Sequence, residues 1–174
     1  AGKDFKGCYF RLSSDLTLPE GWKGLGSAAE PFDGEFDGGG HTITIDGTVA
    51  KPPVFNYLGP DAVVEDLNLK VYDVGGVSNY SSLAKNNQGR IDNCYVELSI
   101  STTTGTLYNG GLVATNDSSG TIENCKAYIK SCGSVSRFGG LVGNNLGAVS
   151  NCQLVAGSVI GTNDNLPTNG GASN

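Results

Sequence analysis

The residues with the most chemistry to offer are three acids at equivalent places. Glu65, Asp92 and Glu123 each stand two positions before an anchor residue, Leu67, Cys94 and Cys125, and Ser150 holds that place before Cys152. If the anchors stack, the acids form a longitudinal acidic column, with Asp66 beside it. Two carboxyls about 5–9.5 Å apart on a substrate face would suit glycoside hydrolysis. Such a column could also attract calcium or a basic partner. The column lacks the Arg or Lys that polysaccharide-lyase chemistry would need nearby, and Arg90, expected one residue away on the bend, is suggestive and no more. A solubilising surface is therefore the plainer reading of these acids.

The remaining reactive residues lead to structural roles. His41 is the single histidine, and the His-Glu-x-x-His zinc-peptidase motif is absent from the chain. One histidine makes a zinc site only if cysteines or carboxylates join it. Asp33-x-Glu35-x-Asp37-Gly38 opens like a calcium loop, but its twelfth position is Thr44 where an EF-hand needs glutamate. These are read as solvated turn acids. The five cysteines, Cys8, Cys94, Cys125, Cys132 and Cys152, contain no Cys-x-x-Cys pair. They are read as buried free thiols serving as small apolar groups. Cys125 with Cys132, or Cys8 with another, is the disulfide alternative, and the odd count leaves at least one thiol over. Tyr95 and Tyr128 are expected on an outer strand face in offset columns, with Tyr72 and Tyr108 adding exposed rings, and Trp22 is expected to pack a cap. No Gly-x-Ser-x-Gly elbow or P-loop occurs. The expected sites are thus catalytic none, metal none and cofactor none.

What positions these residues is a repeat. Leu83–Cys94, Gly110–Cys125 and Gly139–Cys152 align, with a degenerate copy at Val54–Leu67. The anchors Leu67, Cys94, Cys125 and Cys152 step by 27, 31 and 27 residues, the longer step reflecting turn-like insertions around Thr102–Leu107 and at Ser118–Ser119. A period of this length with strand chemistry indicates one solenoid coil per repeat. From each anchor, residues i, i+2 and i+4 share a strand face. They predict inward columns Leu67/Cys94/Cys125/Cys152, Leu69/Val96/Ala127/Leu154 and Val71/Leu98/Ile129/Ala156. A further column, Val64/Ile91/Ile122/Val149, precedes them. Lys70 and Glu97 are expected side by side outside. Asp66, Asn93, Asn124 and Asn151 are read as bends that bond local backbone or the equivalent residue one coil away. Gly89, Gly120 and Gly147 are expected at turns with positive φ.

Composition agrees with this architecture. Glycine fills 27 of 174 positions, charged residues only 16% and hydrophobic residues 38%. That mix disfavours a helical bundle and favours short strands joined by tight turns. A formal charge of −6 argues against nucleic acid as a partner. No apolar run approaches the ~20 residues of a membrane-spanning helix, so no membrane insertion is expected.

Phe32-Asp-Gly-Glu-Phe-Asp-Gly-Gly-Gly-His-Thr-Ile43, followed by Gly139-Gly-Leu-Val-Gly-Asn-Asn145 with Gly147 to Cys152, resembles bacterial proteins with GLUG repeats. The second copy departs at Ala114-Thr115 and Ser118–Ser119, and Ser81–Cys94 lacks the paired glycines. The resemblance covers most of residues 4–156. It implies a right-handed parallel β-helix of pectin-lyase type and an extracellular or cell-surface bacterial setting. Adhesin-like proteins and the N-terminal regions of IgA-protease-type zinc metallopeptidases carry such repeats, which bring no catalytic residues with them.

The expected fold is therefore all-β, a parallel β-helix of about six coils. Residues 1–53 form an N-terminal cap and first coils, 54–160 the GLUG-type coils, and 161–174 a linker or tail of a domain taken from a longer chain. The expected function is a non-catalytic adhesion surface or stalk, with a host glycan, an extracellular protein or neighbouring domains as partners. The alternatives are a substrate-positioning domain of a secreted zinc metallopeptidase and a polysaccharide-active enzyme.

Overall fold

The computed structural model describes residues 5–50, 53–76, 78–102, 108–135 and 137–158. The tail expected at 161–174 and most of the 102–107 insertion lie outside these residues. Among the described residues every regular element is a strand, and no helix is long and apolar enough to cross a membrane.

The strands wind into a β-solenoid of about five turns, rather than the six expected. The difference is one of counting, because six rungs on a sheet bound five full turns. Sheet I stacks Tyr9–Arg11, Glu35–Asp37, Val63–Glu65, Arg90–Asp92, Thr121–Glu123 and Ala148–Ser150. Sheet II stacks Leu16–Thr17, Thr42–Asp46, Asn68–Val74, Tyr95–Thr102, Lys126–Ser134 and Gln153–Leu154. Sheet III stacks Phe55–Leu58, Ala84–Asn87, Val113–Asn116 and Val142–Asn145, and bridges from Leu25 to Phe55 and from Phe32 to Leu58 extend it downward. The strand pairings of all three are parallel. Residues 1–53, expected as cap and first coils, already supply the lowest rungs of sheets I and II.

The register follows the inward columns. Leu69 faces Val96, Val96 faces Ala127, and Ala127 faces Leu154; Val71, Leu98 and Ile129 align likewise. Val64, Ile91, Ile122 and Val149 stack on sheet I. Leu67, Cys94, Cys125 and Cys152 are all buried. Each fully buried aliphatic side chain stabilises the fold by about 1.5–3 kcal/mol. Ala156 departs from its expected inward place and is exposed, because the last strand of sheet II stops at Leu154 and the chain turns at Ala156–Gly157.

The corner between sheets I and II has one residue per rung in the left-handed region. Asp66, Asn93, Asn124 and Asn151 have φ of 53°, 48°, 56° and 51°. Asn and Asp tolerate this conformation better than other residues with a side chain. The glycines between sheets III and I are a different case. Gly89, Gly120 and Gly147 do not have the expected positive φ. They are glycine because the coils stack too closely for a side chain. A Cβ on Gly120 would overlap Asn116 Oδ1 and come within 2.5 Å of the Asn87 carbonyl oxygen, and one on Gly89 would come within 2.7 Å of the Gly59 carbonyl oxygen.

Candidate functional site

The charged column stands on the outer face of sheet I. Alternation turns Ile91 inward and Arg90 and Asp92 outward, and in-register stacking aligns Arg11, Asp37, Glu65, Asp92, Glu123 and Ser150. The expected acidic column is therefore present, with Asp37 as a further member. The expected position of Arg90 on a bend, off the column, is corrected. Arg90 is the first residue of its strand and its guanidinium joins three rungs. Nε donates to Glu123 Oε1 at 2.9 Å, an Nη donates to Asp92 on the same rung, and the other Nη lies 3.8 Å from Glu65 Oε2. A planar guanidinium with five N–H donors can bind in several directions at once, which a lysine ammonium does not reproduce. The Glu123 hydrogen bond, opposed by partial burial and reinforced by the three carboxylates, raises the guanidinium pKa further. Glu65 is raised by burial, then by Glu35, Asp66 and Asp37, with Arg90 pulling the other way.

Asp37 closes the lower end of the column. It accepts from Tyr9 Oη at 2.8 Å and from the Gly39 N–H at 2.6 Å, with Arg11 Nε at 3.4 Å. Those bonds, led by the tyrosine, hold its carboxyl below the usual aspartate range. Of the three acids expected as solvated turn residues, Asp37 is instead buried, because these bonds take up its carboxylate. Asp33 accepts from the Asp61 N–H at 2.9 Å, and Glu35 points to solvent. Thr44 lies in sheet II opposite Lys70. Among the described residues no group of three or more His, Cys, Asp or Glu side chains is placed to hold a metal ion.

The other expected site residues have structural partners. His41 Nδ1 lies 3.3 Å from Asp15 Oδ1, just past the Gly39–Gly40 turn. No disulfide joins the five cysteines. Cys94, Cys125 and Cys152 stack: the Cys94 N–H meets the Cys125 sulfur at 3.4 Å, and the Cys125 N–H meets the Cys152 sulfur at 3.4 Å. The Cys152 thiol pKa is pushed up, first by its bond to Cys125 and then by burial, so it is a poor nucleophile. Cys8 is exposed and Cys132 half-buried. Trp22 donates to the Pro53 carbonyl at 3.2 Å and lines an apolar cavity of about 330 Å³ at the N-terminal end, with Leu12, Leu18, Phe36 and Ile43. Tyr108 lies under the Arg137 guanidinium at 5.5 Å. Tyr95 and Tyr128 occupy offset outward columns, opposite Lys126 and Glu97. Glu97 sits opposite Lys70, as expected, and also lies 4.0 Å from Lys130.

Two amide ladders run along the solenoid. The outer one follows the sheet I–II corner: Asn93 Nδ2 donates to Asp66 Oδ1 at 2.6 Å and Asn151 Nδ2 to Asn124 Oδ1 at 3.3 Å. Asn124 steps aside and donates to Asp92 Oδ1 at 2.7 Å. The inner ladder was not anticipated. Asn87 Nδ2 donates to Asn116 Oδ1 at 2.8 Å, and Asn116 Nδ2 to Asn145 Oδ1 at 2.9 Å. Asn87 and Asn116 are fully buried. Their sequence signal is an Asn seven, nine and seven residues before successive anchors.

Beside the outer ladder runs a polar groove of about 560 Å³. It takes Arg11 from the lowest rung, Gly39 and Gly40 from the next, then Asp66 with Asn68, Asn93 with Tyr95, and Asn124 with Lys126. Comparison with protein-family models, curated proteins and solved structures finds no match for this chain.

Proposed function

We propose that this chain is a non-catalytic β-solenoid module of a bacterial cell-surface or secreted protein, serving as a stalk or binding surface. The observation that carries this reading is the use made of Arg90. Its guanidinium joins Glu65, Asp92 and Glu123 across three rungs. General acid–base chemistry needs a carboxyl or base free to exchange a proton with substrate. Here the carboxylates hold coil to coil instead. The GLUG-like sequence motifs support the bacterial surface setting.

Two measurements test the proposal. Antibodies raised against the domain are expected to label intact cells of the organism that makes it; labelling only after lysis overturns the surface placement. Incubation with polysaccharides is expected to release no new reducing ends. A turnover that disappears in Asp92→Asn would establish an enzyme instead.

A further inference from the structure

We propose that the groove at the sheet I–II corner binds a neutral, extended oligosaccharide laid parallel to the solenoid axis. The inference rests on reading the module as a binding surface, and it names the ligand class and the site.

The groove has the right length and repeat. Its lining comes from five successive rungs. At about 4.8 Å between neighbouring strands, it runs roughly 19 Å end to end. A pyranose in an extended, β-linked chain advances by a distance similar to one rung. Each rung can therefore meet one sugar, and because successive sugars of such a chain alternate in facing, a given hydroxyl returns to the groove on every second rung.

The groove also has the right donors and acceptors. Asn68 Nδ2 donates to the Gly40 carbonyl at 2.7 Å, Asn93 Nδ2 to Asp66 at 2.6 Å, and Asn124 Nδ2 to Asp92 at 2.7 Å. Each bond orients its amide along the axis. A side-chain amide has two N–H donors and a two-lone-pair oxygen, so these amides, half-buried at Asn68 and exposed at Asn93 and Asn124, keep hydrogen-bonding capacity beyond their bonds along the axis. A sugar hydroxyl, donor and acceptor together, matches that pairing. Midway along, half-buried Tyr95 stands between Asn68 on one rung and Lys126 on the next. A ring bordered by an amide and an ammonium donor suits the apolar face of a pyranose with its hydroxyls at the rim.

Charge selects against an ionic ligand. Arg11, Asp66 and Lys126 alternate in sign along the groove. Arg11 leans on Asp37, and Asp66 is held by Asn93. No single-signed field builds up to favour a polyanion or a polycation.

The test is titration of the isotope-labelled chain with cellopentaose, maltopentaose and pentagalacturonate, followed through side-chain amide resonances. Cellopentaose, extended and neutral, is expected to shift the Asn68, Asn93 and Asn124 amides. Maltopentaose, which curls, is expected to bind more weakly, and added salt should leave the cellopentaose affinity unchanged. Tyr95→Ala should weaken binding roughly fivefold by removing the ring contact. Tyr57→Ala, on sheet III, should not, both variants being checked for an unaltered melting temperature. The proposal is overturned if none of the sugars moves these resonances, if the shifts map elsewhere, or if pentagalacturonate binds best and weakens with salt. Any of those results leaves the surface-module reading to its own tests, because cell labelling and turnover do not depend on this groove. Failure of those tests, in turn, does not remove sugar binding measured here.

Discussion

The two ends of the solenoid fill their cores differently. In the lower coils aromatic rings pack in and around the core, beside buried Ile43, Ile45 and Leu58. Phe32 and Phe55 are fully buried, and half-buried Phe5 and Phe36 and exposed Phe10 complete a chain of rings with centroids 5.0–5.9 Å apart. In the upper coils the core is mostly cysteines, alanines and aliphatic side chains, with Tyr80 and Phe138 as its buried rings and the Asn87–Asn116–Asn145 ladder beside them. The upper coils repeat apolar character at each position, although size varies within a column, as in Leu69, Val96, Ala127 and Leu154. The lower coils fit large rings around one another without a period. Regularity and bulk are thus two ways to close a solenoid core, and they should fail differently.

The largest effect should come from charge in a repeating column. Val96 is fully buried between Leu69 and Ala127. Val96→Asp places an unpaired carboxylate there and is expected to abolish the fold, read as loss of the β signal in circular dichroism. A folded, equally stable variant would mean that the register of the upper coils is wrong.

Next, Phe55→Ala should cost about 3–5 kcal/mol in urea unfolding, because Phe55 contacts both Phe32 and Phe36. Cys125→Ala, one heavy atom smaller in the repeating region, should cost about 1 kcal/mol. Equal costs would erase the distinction between the two ends. Asn116→Ala removes the partner of both Asn87 and Asn145 and is expected to cost about 1–3 kcal/mol through the stranded amides. A neutral result would show the ladder to be a passenger. At the corner, Asn93→Ala should cost about 1 kcal/mol, because alanine lacks both the amide bond to Asp66 and the tolerance of the left-handed region that asparagine has, while Asn93→Gly, which has no Cβ to strain, should be better tolerated.

The smallest effect concerns acid and belongs to the lower coils. The Asp37 carboxyl is depressed by Tyr9, Gly39 and Arg11. Its contribution is complete above the unfolded aspartate value of about 3.9 and is lost as pH falls through the lower folded value. The stability gap between the native chain and Asp37→Asn should therefore narrow as pH drops below about 4. A gap independent of pH would show that Asp37 acts by shape alone.

These contrasts also explain what could be read from sequence. The upper columns were legible because alternation and a 27-residue step repeat the same apolar choices at Cys94, Val96 and Leu98 and their equivalents. The Phe cluster was not, since rings that interlock across unequal loops leave no period. The inner Asn ladder broke two expectations together. It buries polar groups, and Ser118–Ser119 displaces Asn116 by two residues relative to its partners. Those serines form a turn closed by the Gly120 N–H to the Asp117 carbonyl at 2.9 Å. Gly89 and Gly120 were recognised as special for the wrong reason, because crowding from the neighbouring coil leaves the same trace in sequence as an unusual φ. Arg90 was placed one residue out because its role depends on reach across rungs. The groove was hidden for the same reason: its lining is scattered from Arg11 to Lys126 and meets only through stacking.

The direction of the two amide ladders has a consequence for length. In the buried one, each Asn donates toward the C-terminal end; along the outer corner, Asn93 and Asn151 donate toward the N-terminal end. Their dipoles are opposed, whereas the peptide dipoles of an α-helix add. Lengthening both ladders coil by coil would build up little axial polarity from these side chains. Duplication of a repeat could then extend such a rod without an electrostatic penalty that grows with every copy.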